Sequence, residues 1–177
     1  DYIDDTLKNP DDVQKELGLV TLGATPRMSD VGPGNELATL TSTQSPASEA
    51  YRVLRTNLQF ASVDHPLRTV MITSPAPGEG KSITSANLAV SLTQAGRRVV
   101  LIDADLHKPR LHRVFGLKNN VGLTTALLEE HPNIAGLIQE TALPGLSVLT
   151  SGPLPPNPAE LLGSVRTREL LAQLLLQ

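Results

Sequence analysis

Apolar positions along the chain follow two rhythms, and their alternation carries most of the structural reading. Between residues 46 and 64, Ala50, Leu54, Leu58 and Ala61 recur at helical spacing, while Arg52, Arg55 and Gln59 fall on other faces; this predicts a helix with one inward side, ending near Asp64. Ser45 and Pro46 mark its start, because a Ser oxygen accepts from free first-turn amides and Pro at the first position gives up no needed donor. "RTVMITS" (68–74) is a β-branched apolar run bounded by Pro66 and Pro75, which predicts a buried strand. Asn87, Leu88, Val90 and Ala95 continue as a helix stopped by Gly96, and "RRVVLIDAD" (97–105) reads as a second buried strand. A strand, a helix and a strand joined by a crossover of this length predict a parallel sheet and a right-handed βαβ unit.

Beyond that unit, Pro109–Phe115 and Thr124–Glu130 read as short helices and "GLSVLTSG" (145–152) as a third strand. "PLPPNP" is a stiff turn into "AELLGSVRTRELLAQLLLQ", one interrupted helix or two short ones. Ahead of Ser45 the rhythm fades. Residues 27–45 ("RMSDVGPGNELATLTSTQS") are rich in Ser, Thr, Gly and Pro, the composition of a disordered linker. Residues 1–26 hold several acids, a short amphipathic stretch "DDVQKELGL" and an extended "LVTLGATP".

Composition narrows the field. A length of 177 residues fits one domain, and an apolar share of 40 % supplies a core that must be aliphatic, since aromatic residues make up 2 %. The formal charge of −3 gives no basic footprint for nucleic acid, so no nucleic-acid partner is expected. The absence of cysteine excludes a disulfide framework and a thiolate zinc site. No run approaches the ~20 apolar residues of a membrane span, and nothing resembles a signal peptide.

The chemistry concentrates in "PGEGKS". A loop that cradles phosphate needs several amides turned inward, and glycine permits both the left-handed dihedrals and the close approach of phosphate oxygens. Gly78 and Gly80 stand at that corner, and the helix that follows begins at Lys81 or Ser82, adding free amides and a positive dipole end. Lys81 would place a point charge on the β/γ-phosphates, and the Ser82 hydroxyl would be a ligand for Mg²⁺. A complete GxxxxGK[ST] pattern has Gly where this chain has Pro75. A bare "GKS" is usually an ordinary turn, and the expected strand before it and helix after it select the phosphate loop.

Asp103 and Asp105 stand at the carboxyl end of the second strand, the edge where open α/β sheets bind ligands. Of the two carboxylates, one can aim at a metal while the other acts through water or on a substrate hydroxyl. The alternative is a solvated loop with a helix-capping Asp.

Taken in order, these motifs resemble the bacterial protein-tyrosine kinases of capsule and exopolysaccharide export. "SPAPGEGKS" is similar to their Walker A loop and "VVLIDADLHKPRLH" to their second aspartate motif, Walker A′. "SEAYRVLRTNLQF", "FGLKNNVGLTTAL" and "SGPLPPNPAELLGS" resemble further stretches of the same domain. The resemblance implies an α/β fold, a P-loop NTPase-type parallel sheet flanked by helices. It implies that Pro77, Gly78, Glu79, Gly80, Lys81, Ser82 and Ile83 bind Mg-ATP, with Lys81 catalytic. Asp103 would activate the attacking tyrosine hydroxyl, and Asp105 would help Ser82 and Asp103 with the metal.

Glu49, Arg52 and Arg55 fit the family's ExxRxxR pattern for contacts in a ring-type homo-oligomer. On the residues alone they are a charged helix face, worth ~0.3 kcal/mol per pair. "DDTLKNPDDVQKELGLVTLGATP" resembles the cytosolic stretch after the second membrane helix of chain-length regulators fused to such kinases. That likeness implies a transmembrane chain-length determinant region in cis and a place at the cytoplasmic face of the inner membrane. The expected division is therefore 1–26 juxtamembrane, 27–45 linker and 46–177 the N-terminal part of the kinase domain. His107 stands where the family often has Arg, and Ile83 where it often has a hydroxyl residue.

The chain stops at "LLAQLLLQ", before the family's Walker B strand and tyrosine-rich tail, so the sheet is expected to be incomplete at the C-terminus, with "TVMITS" exposing a ladder edge. Two other functions share these motifs: a ParA- or septum-site-type ATPase, and a non-catalytic assembly module of polysaccharide export. Against the ATPase, the signature Lys of its KGGxGK loop is replaced here by Ala76, followed by Pro77.

Overall fold

The computed structural model describes residues 10–26, 36–62 and 67–176. The first nine residues of the expected juxtamembrane segment, the 27–35 part of the expected linker and the expected helix end near Asp64 lie outside the described residues.

The first elements are α1 (Pro10–Leu17), α2 (Ala38–Thr41) and α3 (Pro46–Phe60). α3 starts as the sequence predicts: Ser45 accepts from the Ser48 amide at 3.1 Å and Pro46 occupies the first turn. α4 (Lys81–Gln94) ends where Gly96 takes φ +82°, with the Arg97 amide reaching back to the Leu92 carbonyl. This tight reversal returns the chain as β1 (Val99–Ile102), so α4 lies against β1 and its first turn sits at the end where β1 finishes. Then come α5 (Leu111–Val114), α6 (Leu123–Leu128), α7 (Ile134–Leu137), β2 (Gln139–Glu140), β3 (Leu146–Leu149), α8 (Pro158–Leu162) and α9 (Val165–Leu174).

The sheet has the order β1–β3–β2. β1 and β3 are parallel, with Val99 opposite Leu146 and Ile102 opposite Leu149, and β2 adds an antiparallel edge. Period-two alternation splits the core between the two faces. Leu146 and Val148 pack with Ala86, Ala89 and Val90 of α4, together with Leu37 and Leu111. Leu149 faces the other way, into Leu106, Leu123, Leu127, Ile134 and Leu170. Helices thus cover both faces of a partly parallel sheet, the mixed α/β architecture expected, and each fully buried Val or Leu side chain stabilises it by about 1.5–3 kcal/mol.

Two expectations need correction. Residues 68–74 form no strand: the segment is extended, has no ladder partner among the described residues, and leaves Val70 42 % and Met71 85 % exposed. An apolar β-branched run becomes a strand only where a neighbour accepts its backbone groups, and the described sheet meets β1 along β3 alone. The expected linker is also partly built. Residues 36–45 contain α2, and Leu37 and Thr39 are buried against α4, because Thr39 finds hydrogen-bond partners that its composition does not reveal. α7 and the two-residue β2 are further elements that the pattern did not predict. Among the described residues, no helix is long and apolar enough to cross a membrane.

Candidate nucleotide site

At the glycine corner the backbone does what the residue types require. Gly78 and Gly80 have φ of +83° and +89°, a region that side chains strain to enter, and a Cβ built at either would meet nothing within 4 Å. Glycine is therefore demanded by the backbone angle rather than by crowding. Inside the loop, the Ser74 hydroxyl donates to the Ala76 carbonyl at 2.8 Å and the Ala76 amide donates to Glu79 Oε2 at 3.2 Å. Gly80 is the N-cap of α4, and no side chain caps the first-turn amides. The contrast with α3 and α9, capped by Ser45 and Ser164, is direct. Fourteen aligned peptide units thus present an uncapped positive end, with Lys81, Ser82 and Ile83 half-buried in its first turn. Lys81 makes no ion pair among the described residues.

Asp103 follows β1 and is 3 % exposed. Its Oδ2 accepts from the amides of Arg110 at 3.0 Å and Leu111 at 2.9 Å, and its Oδ1 from the Asp105 amide at 3.3 Å. The carboxylate therefore closes the 103–111 loop and caps the start of α5, which is the capping alternative raised by the sequence. Burial raises its pKa above the ordinary carboxylate range; the three amides pull it down and the charge of Asp105 pushes it further up. Asp105 is half-exposed, and its Oδ1 accepts from the His107 and Lys108 amides at 3.2 and 2.9 Å. Strand alternation would put residues two apart on one face, but β1 ends at Ile102, and the loop that follows turns the Asp103 carboxylate inward and leaves Asp105 partly in solvent. Because α4 reverses directly into β1, the glycine corner and this pair occupy the same end of the layer.

Glu49 and Arg52 form an ion pair at 3.0 Å on the exposed side of α3, and Arg52 also donates to the Thr43 carbonyl at 2.7 Å. Arg55 instead reaches across to α4, donating to the Ser91 carbonyl at 2.9 Å. Tyr51, 2 % exposed, lies at the same helix interface. Burial raises its pKa, opposed by side-chain hydrogen bonds with Thr84 and Thr25. The residue that sequence reasoning missed is Asn87, placed in α4 among apolar neighbours and fully buried. An amide in the middle of an apolar helical run was the available signal, since such a group needs partners from elsewhere in the chain.

The family model describing the CobQ/CobB/MinD/ParA nucleotide binding domain matches residues 70–175. The tyrosine-protein kinase YwqD of Bacillus subtilis (strain 168) is 54 % identical over 131 residues, covering 74 % of this chain and 55 % of that protein. The tyrosine-protein kinase wzc of Salmonella typhimurium is 40 % identical over 126 residues, 71 % of this chain and 17 % of that protein. The chain thus spans little more than half of YwqD and under a fifth of wzc. Among solved structures, the chimerical protein CapA2B2 superposes with a TM-score of 0.84 at 40 % identity, covering 95 % of this chain and 71 % of that one. The kinase domain of the Escherichia coli tyrosine kinase ETK gives 0.82 at 30 % identity, with 93 % and 67 % covered. The chain belongs to the CobQ/CobB/MinD/ParA nucleotide-binding family, within its bacterial tyrosine-protein kinase branch.

Proposed function

We propose that this chain is the nucleotide-binding part of an ATP-dependent protein-tyrosine kinase, acting on tyrosines of a neighbouring copy in the control of exopolysaccharide or capsule export. The observation that carries the reading is the uncapped start of α4 behind two left-handed glycines, at the sheet end that also holds Asp103 and Asp105. In this reading, amides from Pro77–Ile83 and the Lys81 ammonium receive the triphosphate. The phenolic oxygen of the acceptor tyrosine attacks the γ-phosphorus, the bond to the β,γ-bridging oxygen breaks, and ADP leaves with that electron pair. The phenolic proton passes to Asp103. A phenol with pKa near ~10 needs such an acceptor at neutral pH.

No group of three or more His, Cys, Asp or Glu among the described residues forms a metal cage. Mg²⁺ suits such a sparse set, because it is commonly held by one or two carboxylates, substrate phosphates and water. Ser82, Asp105 and Asp103 would hold it, and it would supply charge stabilisation on the phosphates. Self-association through Glu49, Arg52 and Arg55 belongs to the same proposal, supported by the 64 % and 39 % exposure of the Glu49 and Arg52 side chains. So do a juxtamembrane segment ending at residue 26, a membrane-spanning chain-length region in cis, and a place at the cytoplasmic membrane face.

The test is incubation of the full-length protein with Mg-ATP, read for phosphotyrosine, ADP and free phosphate. Phosphotyrosine that disappears in Lys81→Met and Asp103→Asn is the expected result. Free phosphate without phosphotyrosine would favour an ATPase instead.

A further inference from the structure

Residues 36–41 touch both halves of the candidate site without belonging to either. Towards α4, Asn87 satisfies all four positions of its side-chain amide. Its Oδ1 accepts from the Thr39 amide at 3.1 Å and the Thr39 hydroxyl at 2.9 Å. Its Nδ2 donates to the Glu36 carbonyl at 2.9 Å and the Ile83 carbonyl at 3.0 Å. The backbone donor at Thr39 fixes which end of the amide is oxygen. The Ile83 carbonyl belongs to the first turn of α4, so this buried amide fastens segment 36–41 directly behind the glycine corner. Gln94 adds a bond to the Thr39 carbonyl at 3.0 Å.

Towards the carboxylates, Glu36 Oε1 lies 3.2 Å from Arg110 Nη2. The amide of that same Arg110 donates to Asp103 Oδ2. Between these two attachments Leu37 is buried in one cluster with Ala86 of α4 and Leu111 of α5. A single short segment therefore holds the phosphate corner through Asn87 and the Asp103 loop through Arg110.

We propose that segment 36–41 is a brace that sets the placement of Asp103 relative to the glycine corner, with Glu36, Thr39, Asn87 and Arg110 as positioning residues. Its consequence for nucleotide binding rests on the kinase reading of the site; its mechanical content does not. The Glu36–Arg110 pair is largely exposed on the Arg side, so as a surface ion pair alone it would contribute almost nothing to folding. As part of a brace it governs how often the Asp103 loop opens.

Hydrogen exchange on the full-length protein, without nucleotide, decides the point. Glu36→Gln is expected to speed exchange at the Arg110 and Leu111 amides by about 5- to 10-fold while leaving the thermal midpoint within about 2 °C. The charge-swapped pair Glu36→Arg with Arg110→Glu should restore most of the protection. Thr39→Val should speed exchange at the first hydrogen-bonded amides of α4 and at the Asp103 loop together. Changes confined to residues 36–41, with Arg110 and Leu111 unaltered, would overturn the brace. A parallel titration with a fluorescent ADP analogue and Mg²⁺ should show about 5-fold weaker binding in Glu36→Gln and recovery in the swap. Failure of the wild-type protein to bind the analogue would count against the nucleotide reading, while the exchange result would still decide the brace.

Discussion

Between Asp103 and Leu111 the chain spends its polar groups on itself, whereas between Leu67 and Gly80 it leaves most of them open. One carboxylate gathers the amides of Asp105, Arg110 and Leu111, and another those of His107 and Lys108. Across the same end of the sheet, the glycine corner has the Ser74–Ala76 and Ala76–Glu79 bonds, and the helix behind it starts uncapped. A group that must keep its position while charge moves benefits from being fixed in advance. A loop that must surround an anion needs its donors free, because donors already satisfied internally give nothing to a ligand. The two halves therefore predict opposite responses to mutation, stability on one side and binding on the other.

The largest effect should come from the closed half. Asp103→Ala removes the acceptor of three amides, two of them bound to one nearly buried oxygen. Leaving such donors unpaired should cost about 2–4 kcal/mol, measured as a shift of the urea midpoint at constant slope. A loss below about 0.5 kcal/mol would show that water replaces the carboxylate freely, and the contrast between the halves would fail.

In the open half the balance reverses. Lys81 makes no ion pair among the described residues, so Lys81→Met should keep the thermal midpoint within about 2 °C. Affinity for an ATP analogue should nevertheless fall by about 100-fold, the loss typical of a charged donor to phosphate, read by fluorescence titration. Loss of stability comparable to that of Asp103→Ala would mean that the corner too is internally built.

The pH dependence sharpens the same contrast. Burial, the largest cause, lifts the Asp103 pKa above its unfolded value, so the folded protein holds this proton at pH values where the unfolded chain has released it. The Asp103 contribution to stability is then fully present below the unfolded pKa and is lost as pH rises through the folded one. Measured against Asp103→Asn, which does not titrate, the wild-type protein should gain relative stability as pH falls from neutrality towards the ordinary carboxylate range. An opposite slope would mean that the amide bonds outweigh desolvation.

How much of this arrangement the sequence makes legible follows from the range of the interactions. The helix over Lys81–Gln94, its stop at Gly96, the Ser45 cap and the paired aspartates after β1 all depend on neighbours a few residues away, and the spacing shows them. Thr39 and Asn87 are 48 residues apart, and nothing in "NELATLTSTQSP" distinguishes a threonine that will bond a buried amide from one in a flexible linker. The run 68–74 has the composition of a strand, but ladder partners are a property of the sheet and cannot be read from the run itself. For Asp103 the position was readable and the hydrogen bonds were not, because its partners Arg110 and Leu111 come from the turn that the chain takes after Pro109.

The smallest effect tests whether the open half is open at all. Glu79 is exposed, and its carboxylate holds the Ala76 amide at 3.2 Å, an internal bond to a donor within the phosphate corner. If this bond served the fold, Glu79→Ala would lower the thermal midpoint; if the corner is built for a ligand, the midpoint should move by no more than about 2 °C, as surface changes do. The same substitution frees an amide and removes a negative charge from beside a site meant for phosphate. Nucleotide affinity should therefore hold or tighten by about 2-fold, with the gain shrinking at high salt as screening weakens the repulsion that was removed. Weaker binding would instead assign Glu79 to shaping the loop, and would place at least one fixed bond inside the open half.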